Sequence, residues 1–366
     1  MRRSRGRTVE IGSLAELDRR LARGARTLSG WWVRGIDLSA RSAELRRCDV
    51  AGASFLGCTL AAGDADWIEE RGGSVFPAIP GVPVDPYRTA LYTAAELYDD
   101  PHYRDSLDAR AFAWARGGPH DQESMLARAL HDHAIDRALV DWVRPRHLVG
   151  VMGGHALQRG DAAYGEAARL GRMLGRSHTV ATGGGPGAME AANLGARLSG
   201  RPPEDLDEAL ALLAKVPGYR PSVAAWAAAA FDVLDRWPSD TECLGIPTWH
   251  YGHEPPNVFA TAIAKYFRNA TREAILLEVC DAGIVFLPGV AGTVQEVFQD
   301  GCENYYADES SVAPMVLVGR TYWTETVPAW PLLETLARGR VMEKHVHLVD
   351  TVEEAAAVVD QRSGTR

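Results

Sequence analysis

After Pro145 the chain alternates between short apolar segments and amphipathic ones, and this alternation limits its fold more than any other feature. Strands are expected at His147–Gly153, Thr179–Thr182, Leu244–Trp249, Ala282–Leu287, Met315–Val318 and Val346–Val349. Between and after them, helical spacing covers Ala162–Arg176, Gly187–Leu198, Val258–Cys280, Thr293–Tyr305, Thr324–Ala337 and Val352–Asp360. Residues 202–236 read as a helical insertion that interrupts the alternation. Strands that take turns with helices build βαβ units, so the expected fold class is α/β: a Rossmann-like, doubly wound parallel sheet with helices on both faces. Ligands of such sheets bind beyond the carboxyl ends of the strands.

Two strand-to-helix turns are rich in glycine. The first is Thr182-Gly183-Gly184-Gly185-Pro186-Gly187-Ala188-Met189-Glu190. Glycine lets the backbone approach an anion closely, and the helix N-terminus that follows supplies free N–H groups and partial positive charge. The same turn satisfies a loose dinucleotide fingerprint, with Glu204 or Asp205 near the place of a ribose-binding acid. That fingerprint normally follows the first strand of its unit, whereas here a strand and a helix come earlier. The second turn is Leu287-Pro288-Gly289-Val290-Ala291-Gly292-Thr293-Val294-Gln295-Glu296. Thr293 is expected near the N-cap, where its hydroxyl and the first amides of the helix can hold a phosphate. Glu296 falls one turn further on. Arg272 lies on the helix leading into the Pro-Gly strand, within reach of the same ligand.

Together these residues resemble the LONELY GUY (LOG) family, whose hallmarks are GGGxxGxM and PGGxGTxxE. The first stands here at Gly183 to Met189, with Ala188 where the pattern has its last glycine. The second stands at Pro288 to Glu296, with Val290 in place of its second glycine. A β-branched residue resists positive φ, so a reshaped loop is expected at Val290. The nine-residue step from Arg272 to Asp281 matches the family's spacing, as do Gly150-Val151-Met152-Gly153-Gly154, Tyr164, Ala167-Ala168 and Leu170-Gly171. The likeness covers about 146–360 and is greatest to the long bacterial members.

The resemblance implies a nucleoside 5′-monophosphate phosphoribohydrolase. Such an enzyme cleaves the N-glycosidic bond of AMP or a cytokinin riboside monophosphate, giving the free base and ribose 5-phosphate. It implies Arg272 and Glu296 as the catalytic pair. Nucleotide-binding residues would be Gly153, Gly183, Gly184, Gly185, Gly187, Met189, Asn257, Pro288, Gly289, Gly292 and Thr293. Glu296 would meet the oxocarbenium-like charge at C1′ or orient the attacking water, as carboxylates do in glycosidases. Arg272 would offset charge on the departing base or anchor the phosphate. It further implies a homodimer and no metal or other cofactor. Two rival readings remain: a nucleotide carrier or sensor without catalysis, and a dinucleotide-dependent oxidoreductase.

The segment Trp249-His250-Tyr251-Gly252-His253-Glu254-Pro255-Pro256-Asn257 follows the third strand. His250, His253 and Glu254 suggest a metal cluster, but the two prolines break any helix that would align them. A loop packing on base or ribose, with Asn257 as a polar contact, is the expectation. His131 and His133 stand two apart in a stretch, 92–143, that looks mostly helical with a Gly-Gly-Pro break at 117–119, so they face different ways.

Residues 1–145 are read as an N-terminal extension and 146–366 as the nucleotide-binding domain. Within the extension, Leu45, Val50, Phe55 and Leu60 recur every five residues, each two places after a small residue: Ala43, Cys48, Ala53 and Cys58. A period of five fits neither helix nor flat strand. It resembles a pentapeptide-repeat coil over 41–60, with both the large and the small residue facing inwards. One coil cannot bury its own ends. Residues 72–90, rich in glycine and proline, read as loop.

Composition excludes several chemistries. Of 39 basic residues only Lys215, Lys265 and Lys344 are lysines, none in a suggestive setting, which argues against Schiff-base chemistry with pyridoxal phosphate. A net charge of −9 argues against nucleic-acid or anionic-membrane partners. The longest apolar run, Val223 to Phe231, has nine residues, well short of the ~20 that span a bilayer. The basic start Met1-Arg-Arg-Ser-Arg is followed by no apolar stretch, so a cytoplasmic location is expected. Five scattered cysteines, Cys48, Cys58, Cys243, Cys280 and Cys302, have no zinc or disulfide spacing and are expected to be reduced.

Overall fold

A computed structural model of the chain describes residues 9–117, 121–251 and 254–363. The basic start, part of the Gly-Gly-Pro break, and His253 lie outside the described residues. The rest divides into two compact units, one of residues up to 87 together with 121–130, the other of 88–117 together with 131–363.

The first unit is a parallel stack of four short strands, β1 (Val9–Ile11), β2 (Trp31–Arg34), β3 (Ser54–Leu56) and β4 (Ser74–Phe76), paired in that order. Val9 lies opposite Trp31, Trp32 opposite Ser54 and Ser54 opposite Ser74, so each coil takes 20 or 22 residues. The bridges Thr27–Asp49 and Asp37–Thr59 keep the same step. Leu45, Val50 and Phe55 are buried and Leu60 packs against them, and Cys48, Ala53 and Cys58 also face the core. The rhythm begins earlier than 41, at Leu28, Val33 and Leu38, so stacked coils cover the ends that a single coil would expose. Ala43 departs from it. It sits exposed on the short helix Ser42–Leu45, which takes the place of one corner of the coil. The glycine- and proline-rich stretch 72–90 contains β4, which the local composition hides.

The second unit is an α/β doubly wound fold. Its seven strands are β5 (Leu148–Met152), β6 (Thr179–Thr182), β7 (Cys243–Gly245), β8 (Ala262–Ile263), β9 (Gly283–Phe286), β10 (Met315–Val318) and β11 (Val346–Val349). All pair in parallel, in the order β11-β10-β9-β5-β6-β7-β8. The order reverses at β5. Its neighbour on one side is the next strand in sequence, β6, and on the other side β9, so a crevice opens beyond the carboxyl ends of β5 and β9. β5, β6, β9 and β10 are almost wholly buried, as strands covered on both faces must be. The insertion forms the helices Pro203–Leu213 and Val223–Arg236.

Two expectations change. Helix does not begin near Val258. The chain turns at Val258–Phe259 and runs through β8 to Arg268 without helix, and Thr261, Ala264 and Tyr266 donate backbone hydrogen bonds to Cys243, Gly245 and Pro247, with the helix confined to Asn269–Glu278. Val258 to Phe267 is buried at nearly every position, and a continuous apolar run does not distinguish a buried helix from a buried extended segment. The expected helix 324–337 is likewise split. A wide helical turn covers Tyr322–Thr326, and the regular helix is Trp330–Ala337. Pro328 disfavours helical backbone at Val327 and so separates the two.

Candidate functional site

The two glycine-rich turns meet at the crevice. A cavity of about 330 Å³ lies beyond the ends of β5, β6, β7 and β9, all within the second unit. Gly153 forms its wall after β5, Gly183, Gly185 and Met189 after β6, and Gly292, Thr293 and Glu296 after β9, with Arg272 reaching in from the helix Asn269–Glu278.

After β9 the helix Ala291–Tyr306 begins, with Val290 as its N-cap. Its first hydrogen bond runs from the Val294 amide to the Val290 carbonyl at 2.9 Å. The amides of Ala291, Gly292 and Thr293 therefore precede the intrahelical ladder and stand at the positive end of the helix dipole, beside the cavity. Thr293 is thus the third residue of the helix and not its cap, and its side chain packs closely on Gly289. Val290 has φ −102°, so its branched side chain needs no positive φ. It is 63% exposed at the rim.

Arg272 is buried rather than a surface side chain. Its Nε donates to the Ile246 carbonyl at 2.6 Å and its Nη2 to the Gly183 carbonyl at 3.2 Å. This leaves Nη1 turned towards Glu296, 3.9 Å from Oε1. The backbone at Gly183 has no room for more. A Cβ there would lie 2.3 Å from Arg272 Nη2. Glu296 is only 12% exposed at its side chain. Burial pushes its pKa up to about 7, with Arg272 acting against the rise and Glu273 adding to it. A largely buried carboxyl near neutrality beside a fixed guanidinium can give or take a proton at physiological pH.

The remaining residues of the two motifs support the wall from behind. The Gly184 amide donates to Thr182 Oγ1 at 3.0 Å and is committed there. Gly187 has φ 72° and packs against the Gly154 carbonyl, a conformation and spacing that exclude a side chain. Pro288 and Gly289 lie in the turn below the cavity wall; the Pro288 carbonyl accepts from the Gly154 amide at 3.2 Å. Asn257 is fully buried. Its Nδ2 donates to the Gly185 carbonyl (3.2 Å) and Asn193 Oδ1 (3.0 Å), and its Oδ1 accepts from the Phe259 and Ala260 amides. It ties the loop after β7 to the first glycine turn and faces inward, not towards a base.

Several wall residues carry no motif. Glu273 and Gln295 line the cavity, as do Tyr251, half exposed, and the pair Glu254 and His155, whose Oε1 and Nδ1 are 3.6 Å apart. His155 and Glu254 converge from loops almost a hundred positions apart, so no local pattern pairs them. Farther from the cavity, Lys265 proves to have a distinctive setting. It is buried with Nζ 2.6 Å from Asp108 Oδ1, and Asp108 also accepts from Trp249 Nε1 (2.8 Å) and from Tyr103 Oη (2.8 Å). This cluster anchors both ends of the loop between β7 and the helix that carries Arg272. His131 is buried against Tyr92 Oη at 2.8 Å, whereas His133 is exposed, so the two do face apart.

No protein-family profile matches the chain, and no curated protein does. Among solved structures it is similar to a molybdenum cofactor binding protein from the phototrophic bacterium Rippkaea orientalis, at 15% identity over 59% of this chain and 96% of that one, with a TM-score of 0.37. It is similar to the molybdenum cofactor carrier protein of Chlamydomonas reinhardtii at 18% identity, over 59% and 97% of the two chains, with a TM-score of 0.36. A third is the structural-genomics target TM1055, at 17% identity over 59% and 99%, with a TM-score of 0.36. No helix among the described residues is long and apolar enough to cross a membrane.

Proposed function

We propose that the chain is a LOG-type nucleoside 5′-monophosphate phosphoribohydrolase, hydrolysing the N-glycosidic bond of an AMP-like nucleotide. The observation that carries this reading is the juxtaposition, in one cavity, of unpaired helix-terminal amides with the Arg272–Glu296 pair. The amides at Ala291 to Thr293 suit a 5′-phosphate, since they offer several N–H donors and partial positive charge without a metal. A phosphate seated there places the ribose along the wall that Glu296 occupies.

The bond to be broken separates charge. The sugar becomes oxocarbenium-like and the base leaves with an electron pair. Glu296, with a pKa near 7, supplies a carboxyl that can exchange a proton at that point. Arg272, clamped by two backbone carbonyls, is a preorganised positive charge that needs no rearrangement as the base departs. Tyr251, half exposed on the wall, offers a ring face for the base.

The test is to incubate the protein with AMP, GMP, CMP, UMP and N6-isopentenyl-AMP and to measure free base and ribose 5-phosphate. Release of base with at least one, lost in Glu296→Gln and Arg272→Ala, is expected. Tight nucleotide binding by calorimetry without release from any of the five would refute the hydrolase reading and favour a carrier or sensor.

A further inference from the structure

Among the described residues the hydroxyl side chains that line the cavity are those of Thr248, Tyr251 and Thr293. Thr293 belongs to the helix terminus assigned to the phosphate. Thr248 is fully engaged: its Oγ1 donates to the Tyr266 carbonyl at 3.0 Å and accepts from the His250 amide at 3.0 Å. Tyr251 is different. Its Oη accepts from Asn269 Nδ2 at 3.0 Å, and among the described residues none takes the phenol's own proton in return. A phenol is a donor as well as an acceptor, so this O–H is left for a ligand. Burial raises the Tyr251 pKa above its ordinary value of 10, with Glu273 and Glu254 adding to the rise and Arg272 and Asn269 acting against it. The proton therefore stays in place at neutral pH.

The hydroxyl is also held in position. Asn269 is 9% exposed, and the same Nδ2 donates to Glu273 Oε1 at 2.7 Å, which fixes the end of the amide that faces the phenol. Gln295 Nε2 donates to the other oxygen of Glu273. Gln295 lies two residues beyond Thr293 and next to Glu296. A polar chain thus runs from the start of the helix Ala291–Tyr306 through Glu273 and Asn269 to Tyr251, on the wall that Glu296 shares.

That wall is rich in acceptors. Glu254, Glu273 and Glu296 all line the cavity, and Arg272 is engaged with two carbonyls. A ribose brings two hydroxyls, whose protons suit carboxyl oxygens and whose oxygens need a donor. Tyr251 supplies a neutral one. Its ring is the face offered to the base, and the hydroxyl at the edge of that ring meets the sugar beside the base. The 2′-hydroxyl, on the carbon bonded to C1′, is the nearer of the two.

We propose that Tyr251 is a specificity-determining residue: its phenol, oriented by Asn269, donates a hydrogen bond to the 2′-hydroxyl oxygen of the substrate and so selects ribonucleotides over 2′-deoxyribonucleotides. The proposal rests on the phosphoribohydrolase reading for where the sugar lies.

The test pairs two proteins with three sugars. Wild type and Y251F are assayed for base release from AMP, 2′-deoxy-AMP and 3′-deoxy-AMP. Phenylalanine keeps the ring at this half-exposed position and removes only the hydroxyl. One neutral hydrogen bond corresponds to about three- to tenfold. Y251F is expected to lower kcat/KM for AMP and 3′-deoxy-AMP by that factor and to leave 2′-deoxy-AMP unchanged. The unequal lability of the three glycosidic bonds is common to both proteins and cancels in the comparison. An equal loss with all three sugars shows a structural role and overturns the proposal. So does an unchanged rate with AMP, or a loss that vanishes with 3′-deoxy-AMP instead. If no nucleotide releases base, the hydrolase reading fails, and calorimetry with the same proteins and nucleotides reads the same comparison in Kd. Binding weakened about three- to tenfold for AMP and 3′-deoxy-AMP alone then supports the hydrogen bond, and any other pattern, or no binding, overturns it.

Discussion

Replacing Glu296 with glutamine removes a charge that the fold shelters poorly, and its effect on stability follows from the structure independently of any substrate. In the unfolded chain this carboxyl titrates near its ordinary 4.5, whereas in the folded protein burial raises it to about 7 against the pull of Arg272. The folded state therefore holds the proton more tightly than the unfolded state. Stability contributed by that proton is present at low pH and is lost as the pH rises through the window from about 4.5 to about 7. The interval is about 2.5 units, and at ~1.4 kcal/mol per unit the whole effect is about 3 kcal/mol. Glutamine has nearly the same shape and no such cost.

The assay is urea unfolding of wild type and E296Q at intervals from pH 5 to pH 8, followed by tryptophan fluorescence. The wild type is expected to lose roughly 1–3 kcal/mol relative to the variant across that range. Asp300 shifts in the same direction and the buried His178 and half-buried His347 shift down, but all three are present in both proteins and cancel in the difference. Curves that run parallel, with a difference constant to within ~0.5 kcal/mol, would refute the claim that Glu296 carries its proton near neutrality, and with it the proton exchange proposed for it.

Three further outcomes are expected. Gly183→Ala places a Cβ 2.3 Å from Arg272 Nη2, so the guanidinium must leave its carbonyl partners; base release should fall at least tenfold, while circular dichroism shows the fold intact. Val290→Gly frees no positive φ, because φ is already negative, so nucleotide turnover should stay within about threefold and stability should drop by ~0.5–1 kcal/mol from the freer unfolded chain, read by thermal melting. Lys265→Met leaves Asp108 buried without its cation and should cost about 3–5 kcal/mol in urea unfolding; an unchanged midpoint would show that the pair carries no structural weight.

Why some of this was legible in the sequence, and the rest was not, has a physical basis. The order of strands and helices from β5 onward is visible because a strand covered on both faces must be a short run of Val, Ile and Met, and because each turn at the cavity needs glycine. Arg272 and Glu296 stand at fixed distances from strand ends, so sequence spacing carries their geometry. The Asp108–Lys265 pair joins positions 157 residues apart and belongs to no repeat, so only the folded chain brings it together. The extended segment before Asn269 looks helical because burial on all sides erases the period that separates helix from strand. Asn257 is the most instructive case. A polar residue in a loop beside a ligand crevice reads as a ligand contact, yet all its hydrogen-bonding capacity is spent inward, on the Gly185 carbonyl, Asn193 and two amides. Glu273 is the converse. Nothing in its local sequence distinguishes it from a solvated helix residue, and it is held on the cavity wall by Gln295, on another helix, turning an amide towards it. Motifs therefore locate the backbone amides and glycines of such a crevice, the end proposed to take the phosphate. The protonation of its reacting end depends on side chains that converge from separate elements, and only the fold assembles those.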